Sequence, residues 1–412
     1  MINRKRRHLL QIPAAASLAL TGVPALATDK AVDSRFDLLI KRGRVVDPAS
    51  GYDQIADIGI YKGLIHTVAP ALPEGKAGKV YDASGKIVCP GLIDAHVHVA
   101  DGMMPVSMEP DQAGIQSGVT TLIDAGSTGG RTFEGFRKHI ISSAESRVFT
   151  LLNISSVGLV VLNELYLDSK FISRKRALRA IRSNRDLIIG LKARVRGRQE
   201  TLDHDISVMK VVREIGEETG LPTMMHWTNE PRLLDTLRPG DYLTHPFNPD
   251  YLNPGATQAD GTLYPTVLEL KDRGLMVDLG HGSSFDWRKA EAAAQQNWFP
   301  DVLSTDMFTR YFRPDGVVGD LGAVMSKFLM LGLSVPQVIE KTTIAAVKMA
   351  AIPGALGTLA PGAIADVTVL EQTDGQFKFV DSPKLKQVRT GSRKLTAVAT
   401  VKSGRLWTLT AG

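Results

Sequence analysis

The order of apolar and polar positions divides the chain into regions with two kinds of pattern. From Phe36 to Val88, short stretches of alternating apolar and polar residues are separated by Gly, Pro and Asp, which predicts a small β-sheet module. From Pro90, continuous apolar segments alternate with charged, amphipathic segments. After Ala355 the short alternating stretches return. The chain therefore begins and ends with β-structure and has a different fold between.

The middle region contains eight apolar segments that are typical of buried strands. They are Leu92–Val99, Thr120–Ala125, Arg147–Ser155, Leu187–Val195, Leu221–Trp227, Asp241–Phe247, Leu275–Gly280 and Val302–Asp306. Helical patterns lie between them, at Arg131–Glu145, Arg174–Arg185, Asp205–Thr219, Thr262–Arg273 and Asp286–Asn297. Eight βα units predict an α/β fold of the closed (β/α)8 TIM-barrel type. No glycine-rich phosphate loop follows the first strand, which disfavours a dinucleotide-binding fold.

These patterns predict the domain organisation. We expect residues 89–355 to form the barrel, and residues 28–88 and 356–412 to form one β-sandwich from both chain ends. The 43% hydrophobic content is sufficient for a sizeable core.

Residues 1–27 have the features of a signal peptide. A basic start, Arg4 to Arg7, precedes an apolar stretch and the small-x-small site Ala25-Leu26-Ala27. Arg6-Arg7 also resembles the twin-arginine export signature. We therefore predict an exported, periplasmic protein without a membrane anchor after cleavage. Loss of four basic residues reduces the formal charge from +6 to +2, so the composition gives no indication of nucleic-acid binding.

Two histidines close the first barrel strand. His96 and His98 are two residues apart, so on a strand their side chains leave the same face and can hold one divalent cation such as zinc, nickel or iron. Further polar residues occupy the ends of later strands, where barrel enzymes place their catalytic groups. These are Lys192 on strand four, His226 on strand five, His245 on strand six and Asp306 on strand eight. All six should meet at one rim.

The motifs at these positions resemble the amidohydrolase superfamily, in its dihydroorotase-like branch, and within it the bacterial amidohydrolase/deacetylase metallohydrolases. The resemblance covers nearly the whole mature chain. It is carried by Pro90-Gly91-Leu92-Ile93-Asp94-Ala95-His96-Val97-His98, Gly190-Leu191-Lys192, Met225-His226, Leu243-Thr244-His245, Gly280-His281-Gly282, Ser304-Thr305-Asp306 and Gly357-Thr358-Leu359-Ala360-Pro361-Gly362-Ala363-Ile364-Ala365-Asp366.

This resemblance implies two divalent metal ions, which we predict to be zinc. His96, His98 and Asp306 would hold one ion, His226 and His245 the other, and a carboxylated Lys192 would bridge both. A metal-bound hydroxide would then attack an amide or ester carbonyl. Asp306 would take its proton and return it to the leaving group.

Three further residues are candidates near this site. His281 is absent from the implied ligand set and either faces the substrate or packs in the core. Arg194 shares the strand face of Lys192 and either binds a substrate carboxylate or forms a structural ion pair. Arg310, four residues after Asp306, is the other candidate for the carboxylate.

One departure from the dihydroorotase pattern bears on the substrate. In the dihydroorotase pattern, His-x-His is followed at once by a leucine and by an arginine that binds the substrate carboxylate. In this chain, Val99 and Ala100 follow His98. We therefore predict deacylation of a small carboxylate-bearing molecule. A cyclic-amide hydrolase, dihydroorotase- or hydantoinase-like, is the alternative.

A non-catalytic scaffold relative would lack part of the ligand set, and this chain has all six residues. Because a complete ligand set favours an enzyme over a scaffold, the expected partner is a small-molecule substrate. The sequence leaves open whether the protein forms a homo-oligomer.

Overall fold

The computed structural model describes residues 35–160, 168–309 and 317–409. The predicted signal peptide and Arg310 lie outside these ranges. Within them, no helix combines the length and the apolar character needed to cross a membrane.

The central region is a parallel barrel sheet surrounded by helices. Seven strands pair in chain order, each parallel to the next. They are β6 (Leu92–Val97), β7 (Val119–Asp124), β8 (Arg147–Asn153), β9 (Ile188–Ala193), β10 (Thr223–His226), β11 (Tyr242–Thr244) and β12 (Met276–Asp278). This agrees with the predicted TIM-barrel class.

Helices connect and follow these strands. They are α1 (Pro110–Ala113), α2 (Phe133–His139), α3 (Arg174–Ser183), α4 (Leu202–Thr219), α5 (Pro231–Leu234), α6 (Pro265–Glu269), α7 (Trp287–Gln295), α8 (Leu321–Met330), α9 (Val335–Lys341) and α10 (Ile344–Met349). Each of the five predicted helical segments overlaps one of them. The observed α6 is shorter than predicted because it starts at Pro265, and the chain has left the helix before Gly274, whose φ is +68°.

The predicted eighth strand, Val302–Asp306, is not a regular strand, and isolated bridges join it and the next residue to the two neighbouring strands. Val302 pairs with Asp278 of β12, and Met307 pairs with Val97 of β6. Between them, the N–H of Thr305 donates to the side chain of Asp94 at 3.0 Å. The segment closes the barrel, but side-chain bonding replaces part of the regular ladder.

Both chain ends contribute strands to one β-sheet, which confirms the predicted use of both ends. Its strands are β1 (Phe36–Asp47), β2 (Tyr52–Tyr61), β3 (Leu64–Ala69), β4 (Ala77–Asp82), β5 (Ile87–Pro90), β13 (Val367–Val380), β14 (Val388–Lys402) and β15 (Arg405–Thr408). Antiparallel pairing of β5 with β13 joins the two halves, and β4 branches from β1. Hydrogen bonds thus connect all eight strands into a single sheet.

Alternation along the barrel strands separates two apolar clusters. On β8, Val148 and Leu152 belong to the large cluster that includes residues of the surrounding helices. Phe149 and Leu151 of the same strand belong to a second cluster, which contains residues from successive barrel strands. The barrel interior is therefore a packed core, and polar residues collect at the strand ends.

Candidate metal centre

The carboxyl ends of the parallel strands bring the six predicted residues to one cavity. His96 lies on β6 and His98 directly follows it. Lys192 is the penultimate residue of β9 and His226 the last of β10, while His245 directly follows β11. All five, with Asp306, line a cavity of about 240 Å³. The six residues meet at one rim, as predicted, because the parallel strands all end on the same side of the barrel.

His96, His98 and Asp306 form a compact, buried cluster. The Oδ1 atom of Asp306 lies 3.4 Å from Nε2 of His96 and 3.4 Å from Nε2 of His98. One donor atom from each residue lies within 4.8 Å of the others. Two imidazole nitrogens and one carboxylate oxygen are ligands that suit zinc, so the residues present fit a cation here.

His226 and His245 lie beside this cluster. Their ring centroids are 4.6 Å apart, and the ring of His245 lies 5.1 Å from that of His96. Four imidazoles therefore adjoin one another around the cavity, and burial lowers the pKa of three of them, His96, His226 and His245. Neutral imidazole is the form that binds metals.

Hydrogen bonds to Nδ1 set the tautomers of three of these rings. His98 Nδ1 lies 2.9 Å from Oγ of Ser127, whose hydroxyl donates to Asp124 at 2.6 Å, so the imidazole is the donor to Ser127. His245 Nδ1 donates to the carbonyl of Gly280 at 2.7 Å.

His96 is oriented in the same way by a carboxylate. Its Nδ1 lies 2.9 Å from Oδ2 of Asp278, which also accepts from Thr244 at 2.7 Å. In all three histidines the proton sits on Nδ1, which leaves the Nε2 lone pair for a cation.

The orienting residues Asp124, Ser127 and Asp278 were not predicted from the sequence. A sequence signal for two of them exists, because Asp124 and Asp278 are each the last residue of a strand that has no other charged residue. Both are fully buried. A buried carboxylate requires a partner: Asp124 accepts from Ser127, and Asp278 accepts from His96 and Thr244.

Two site residues adopt left-handed backbone conformations. His245 has a φ of +72° and Asp306 a φ of +48°. Such conformations cost on the order of 1–3 kcal/mol each and concentrate at functional sites. Gly280 and Gly282 are needed beside them, because a Cβ would overlap His245 in the first case and Asp306 in the second.

Lys192 is a buried amine without a carboxylate bonded to it among the described residues. Its Nζ contacts Sδ of Met224 at 2.8 Å, and the residue is 2% exposed. Burial lowers the pKa of Lys192 to about 7, against the opposing effect of Asp306 and Asp278.

Asp306 is an anion in this setting. Burial alone would raise its pKa, but interactions with His96, His98 and His245, including a hydrogen bond from His98, hold the pKa below its ordinary value. Among the described residues that line the cavity, Asp306 therefore supplies an ionised carboxylate that can bind a cation.

The remaining candidates are placed differently. His281 is fully buried and is absent from the cavity lining; its ring stacks on Phe285 at 4.5 Å, and its Nε2 lies 2.7 Å from Nζ of Lys327. This supports the packing alternative for His281, because both ring nitrogens face protein groups. Arg194 lines the cavity, as does Arg196, which the sequence analysis did not select.

Comparisons with known proteins agree with this geometry. The family model described as "Amidohydrolase family" matches residues 87–407. A deacetylase of Enterococcus faecalis is 31% identical over 378 residues, covering 90% of this chain and 99% of that protein. A deacetylase of Brucella anthropi is 31% identical over 341 residues, covering 80% of this chain and 83% of that protein.

Solved structures are similar over the same range. The crystal structure of an adenine deaminase matches with a TM-score of 0.81 and 30% identity, covering 90% of this chain and 100% of that chain. The crystal structure of a dihydroorotase matches with a TM-score of 0.77 and 28% identity, covering 90% of this chain and 99% of that chain.

Proposed function

Because the chain belongs to the amidohydrolase family, and is thus a hydrolase that acts on C–N bonds, we propose that it uses two metal ions to remove an acyl group from a small, carboxylate-bearing substrate. The observation that carries this proposal is the buried cluster of His96, His98 and Asp306, joined by His226, His245 and Lys192 in one cavity. Similarity to deacetylases over most of the chain supports the proposed removal of an acyl group.

The donor set suits two cations. His96, His98 and Asp306 would hold the first, and His226 and His245 the second. Zinc is the proposed metal because it accepts nitrogen and oxygen ligands and has no redox chemistry. The fixed Nδ1 protons of three histidines support this assignment, since Nε2 is then the ligand atom.

Lys192 is proposed to be carboxylated. Its protonated amine has no lone pair, but the neutral amine can bond to the carbon of carbon dioxide and release one proton. The product is a carbamate anion whose two oxygens can bridge two cations. Burial without a bonded carboxylate supports this modification, because an unpaired buried ammonium is costly.

The reaction needs a group that moves a proton, and Asp306 is suited to that role. When bound, two cations would lower the pKa of a shared water and polarise the substrate carbonyl. Asp306 would accept the proton from the attacking water and deliver it to the leaving nitrogen or oxygen. Apolar side chains of Met104, Val106 and Phe308 form part of the cavity wall.

The cavity supports a small substrate with a negative charge. Its volume of about 240 Å³ is below the usual range for drug-sized ligands. Arg194 in the lining supplies a guanidinium group that can hold a carboxylate by two parallel hydrogen bonds. Arg310 is a second candidate from the sequence and lies outside the described residues.

A cyclic-amide hydrolase is the second candidate function. The dihydroorotase-like fold favours it, and a dihydroorotase of Solibacter usitatus is 52% identical over 64 residues, although these cover only 16% of this chain. Val99 and Ala100 oppose it, because they replace the leucine and arginine of the dihydroorotase pattern.

A side-by-side assay of the zinc-loaded protein distinguishes the two. The panel contains N-acyl amino acids, O-acetyl hydroxy acids, dihydroorotate and hydantoins. We expect kcat/KM for the best acylated acid to exceed that for the cyclic amides at least about tenfold, roughly 1.4 kcal/mol of transition-state preference. A cyclic amide as the better substrate would overturn the deacylase proposal.

A further inference from the structure

Three basic residues alternate along one edge of the cavity. Lys192, Arg194 and Arg196 all line it, whereas Ala193 and Val195 between them are fully buried in the apolar core. Alternate residues of an extended segment share a face, and this alternation continues past the end of β9. Both guanidinium groups are therefore directed to the same cavity as Lys192.

The backbone that carries Arg196 is held at both of its polar groups. The buried side chain of Asp205 accepts from the N–H of Arg196 at 3.3 Å and from that of Gly197 at 3.0 Å. The side chain of Asn253 donates to the carbonyl of Arg196 at 3.3 Å. Asp205 lies in the first turn of α4, so the helix itself fixes the segment.

The conformation of the turn after Arg196 is restricted by the backbone of Gly197 and by the residues packed against it. Gly197 has a φ of +69°, and a Cβ there would lie 2.8 Å from both Leu233 and Thr228. Only a glycine fits this backbone conformation and this close approach without strain. The chain thus presents Arg196 from a fixed position, which lowers the entropic cost of binding a ligand.

The charges around the cavity favour an anionic ligand. Among the described residues that line it, Asp306 is the carboxylate, while Arg194 and Arg196 add two permanent positive charges. β9, which carries Lys192, pairs with β10, and β10 ends at His226. Arg194 and Arg196 follow β9, so they lie on the side of the cavity where β9 neighbours β10 and His226, whereas the ring of Phe308 lies 6.2 Å from that of His98.

We propose that Arg194 and Arg196 together form a carboxylate-binding subsite on the His226 side of the cavity, with Arg196 a residue that determines substrate specificity. This deepens the proposed deacylase function and rests on it for the identity of the ligand. The paired arginines select substrates that carry a carboxylate over otherwise identical neutral ones.

Matched substrates and variants test this subsite. The substrates are N-acetyl amino acids that the zinc-loaded wild type hydrolyses, each paired with its C-terminal amide, which lacks the negative charge. The variants are Arg196→Met, Arg196→Lys and the control Arg198→Met. Arg198 continues the alternation but is exposed and is absent from the cavity lining.

We expect Arg196→Met to raise KM for the acids at least about tenfold and to leave kcat and KM for the amides within about twofold. Arg196→Lys should recover part of the loss because it restores the charge, and Arg198→Met should match the wild type. Equal effects of Arg196→Met on acids and amides, or no effect on either, would overturn the subsite.

A binding measurement separates this inference from the proposed function. Calorimetry with the zinc-loaded protein compares N-acetylglycine with N-acetylglycinamide. An Arg196-dependent preference for the acid in a protein that hydrolyses no acylated acid would support the subsite and reject the deacylase function. Hydrolysis of acids and amides with equal kcat/KM, or equal binding of the two probes, would reject the subsite.

Discussion

Asp278 determines which nitrogen of His96 faces the cavity. Its carboxylate accepts from Nδ1 of His96, from Thr244 and, at 2.5 Å, from Ser304. These partners come from three different barrel strands or strand-like segments. A single carboxylate therefore connects one proposed metal ligand to the barrel wall. Loss of this carboxylate should lower the affinity for metal, although Asp278 is not itself a proposed metal ligand.

Replacing Asp278 with asparagine tests this connection. The amide keeps the size of the side chain but loses the charge and can present a donor to His96. We expect metal affinity or activity to fall about 10- to 100-fold, the range for such outer partners. Competition with a chelator measures the affinity, circular dichroism checks the fold, and Asp272→Asn on the surface is the control. Unchanged metal affinity would remove Asp278 from the site.

The sequence predicted the six residues that meet in the cavity but not the groups that orient them. His96 and His98 are recognisable because they close an apolar segment two residues apart. Asp278 is 182 residues from His96 along the chain, and only the barrel brings the two together. His281 is the reverse case: it follows a barrel strand as the site residues do, but it does not line the cavity. The turn at Gly280 and Gly282 places its ring beside Phe285 and Lys327 instead of in the cavity.

Lys327 connects three elements behind the site. From α8, its Nζ bonds to His281 at 2.7 Å, to the carbonyl of Val317 at 2.8 Å and to that of Val380 at the end of β13 at 2.7 Å. His281 lies between Gly280 and Gly282, which pack against His245 and Asp306. The lysine thus helps to fix the loop that supports two site residues.

This buried lysine should give the stability of the protein a pH dependence. Burial lowers the pKa of Lys327 to about 7, against an ordinary value of 10.5 in the unfolded chain. Below pH 7 the lysine is protonated in both states, and its burial cost is fully present. Between pH 7 and 10.5 the unfolded chain binds the extra proton, so the free energy of unfolding should rise with pH, by at most about 1.4 kcal/mol per unit.

Urea unfolding of the zinc-loaded wild type and of Lys327→Met at pH 7 and pH 9 measures this effect. The variant lacks the titrating group, so the difference in unfolding free energy between the two proteins should change with pH in favour of the wild type. A difference that is the same at both pH values would contradict the role of burial.

The order of elements was predictable, and their ends were less so. Apolar segments located all seven strands of the barrel sheet. The predicted strand Leu92–Val99 nevertheless ends at Val97, because Val99 is buried in a loop rather than in the sheet. Hydrophobicity reports burial, and at the rim of a barrel buried residues continue beyond the last ladder bond. The closing segment around Thr305 differs for a related reason, since Asp94 takes the place of a backbone partner.

The eight-stranded sheet joins segments that are more than 250 residues apart in the sequence. β5 pairs with β13, and the Arg147 side chain at the start of β8 forms an ion pair with Asp366 just before β13. The return of the strand pattern after Ala355 predicted this use of both ends. The register could not be predicted, because it depends on contacts between distant segments.

We propose that residues 1–27 are removed on export, and that the mature protein begins near Thr28. A basic start, an apolar stretch and a small-x-small site support this. Amino-terminal sequencing of protein from the periplasmic fraction of the expressing cell should find a start within a few residues of Thr28. An intact Met1 on exported protein would contradict signal cleavage.

The metal content of the wild type and of Lys192→Ala, measured side by side, tests the proposed metal centre most directly. We expect about two divalent ions per wild-type chain. The variant should lose metal and most of its activity, because the bridging carbamate cannot form, and short carboxylic acids should restore part of both. Two ions per chain and full activity in Lys192→Ala would contradict the bridged metal centre.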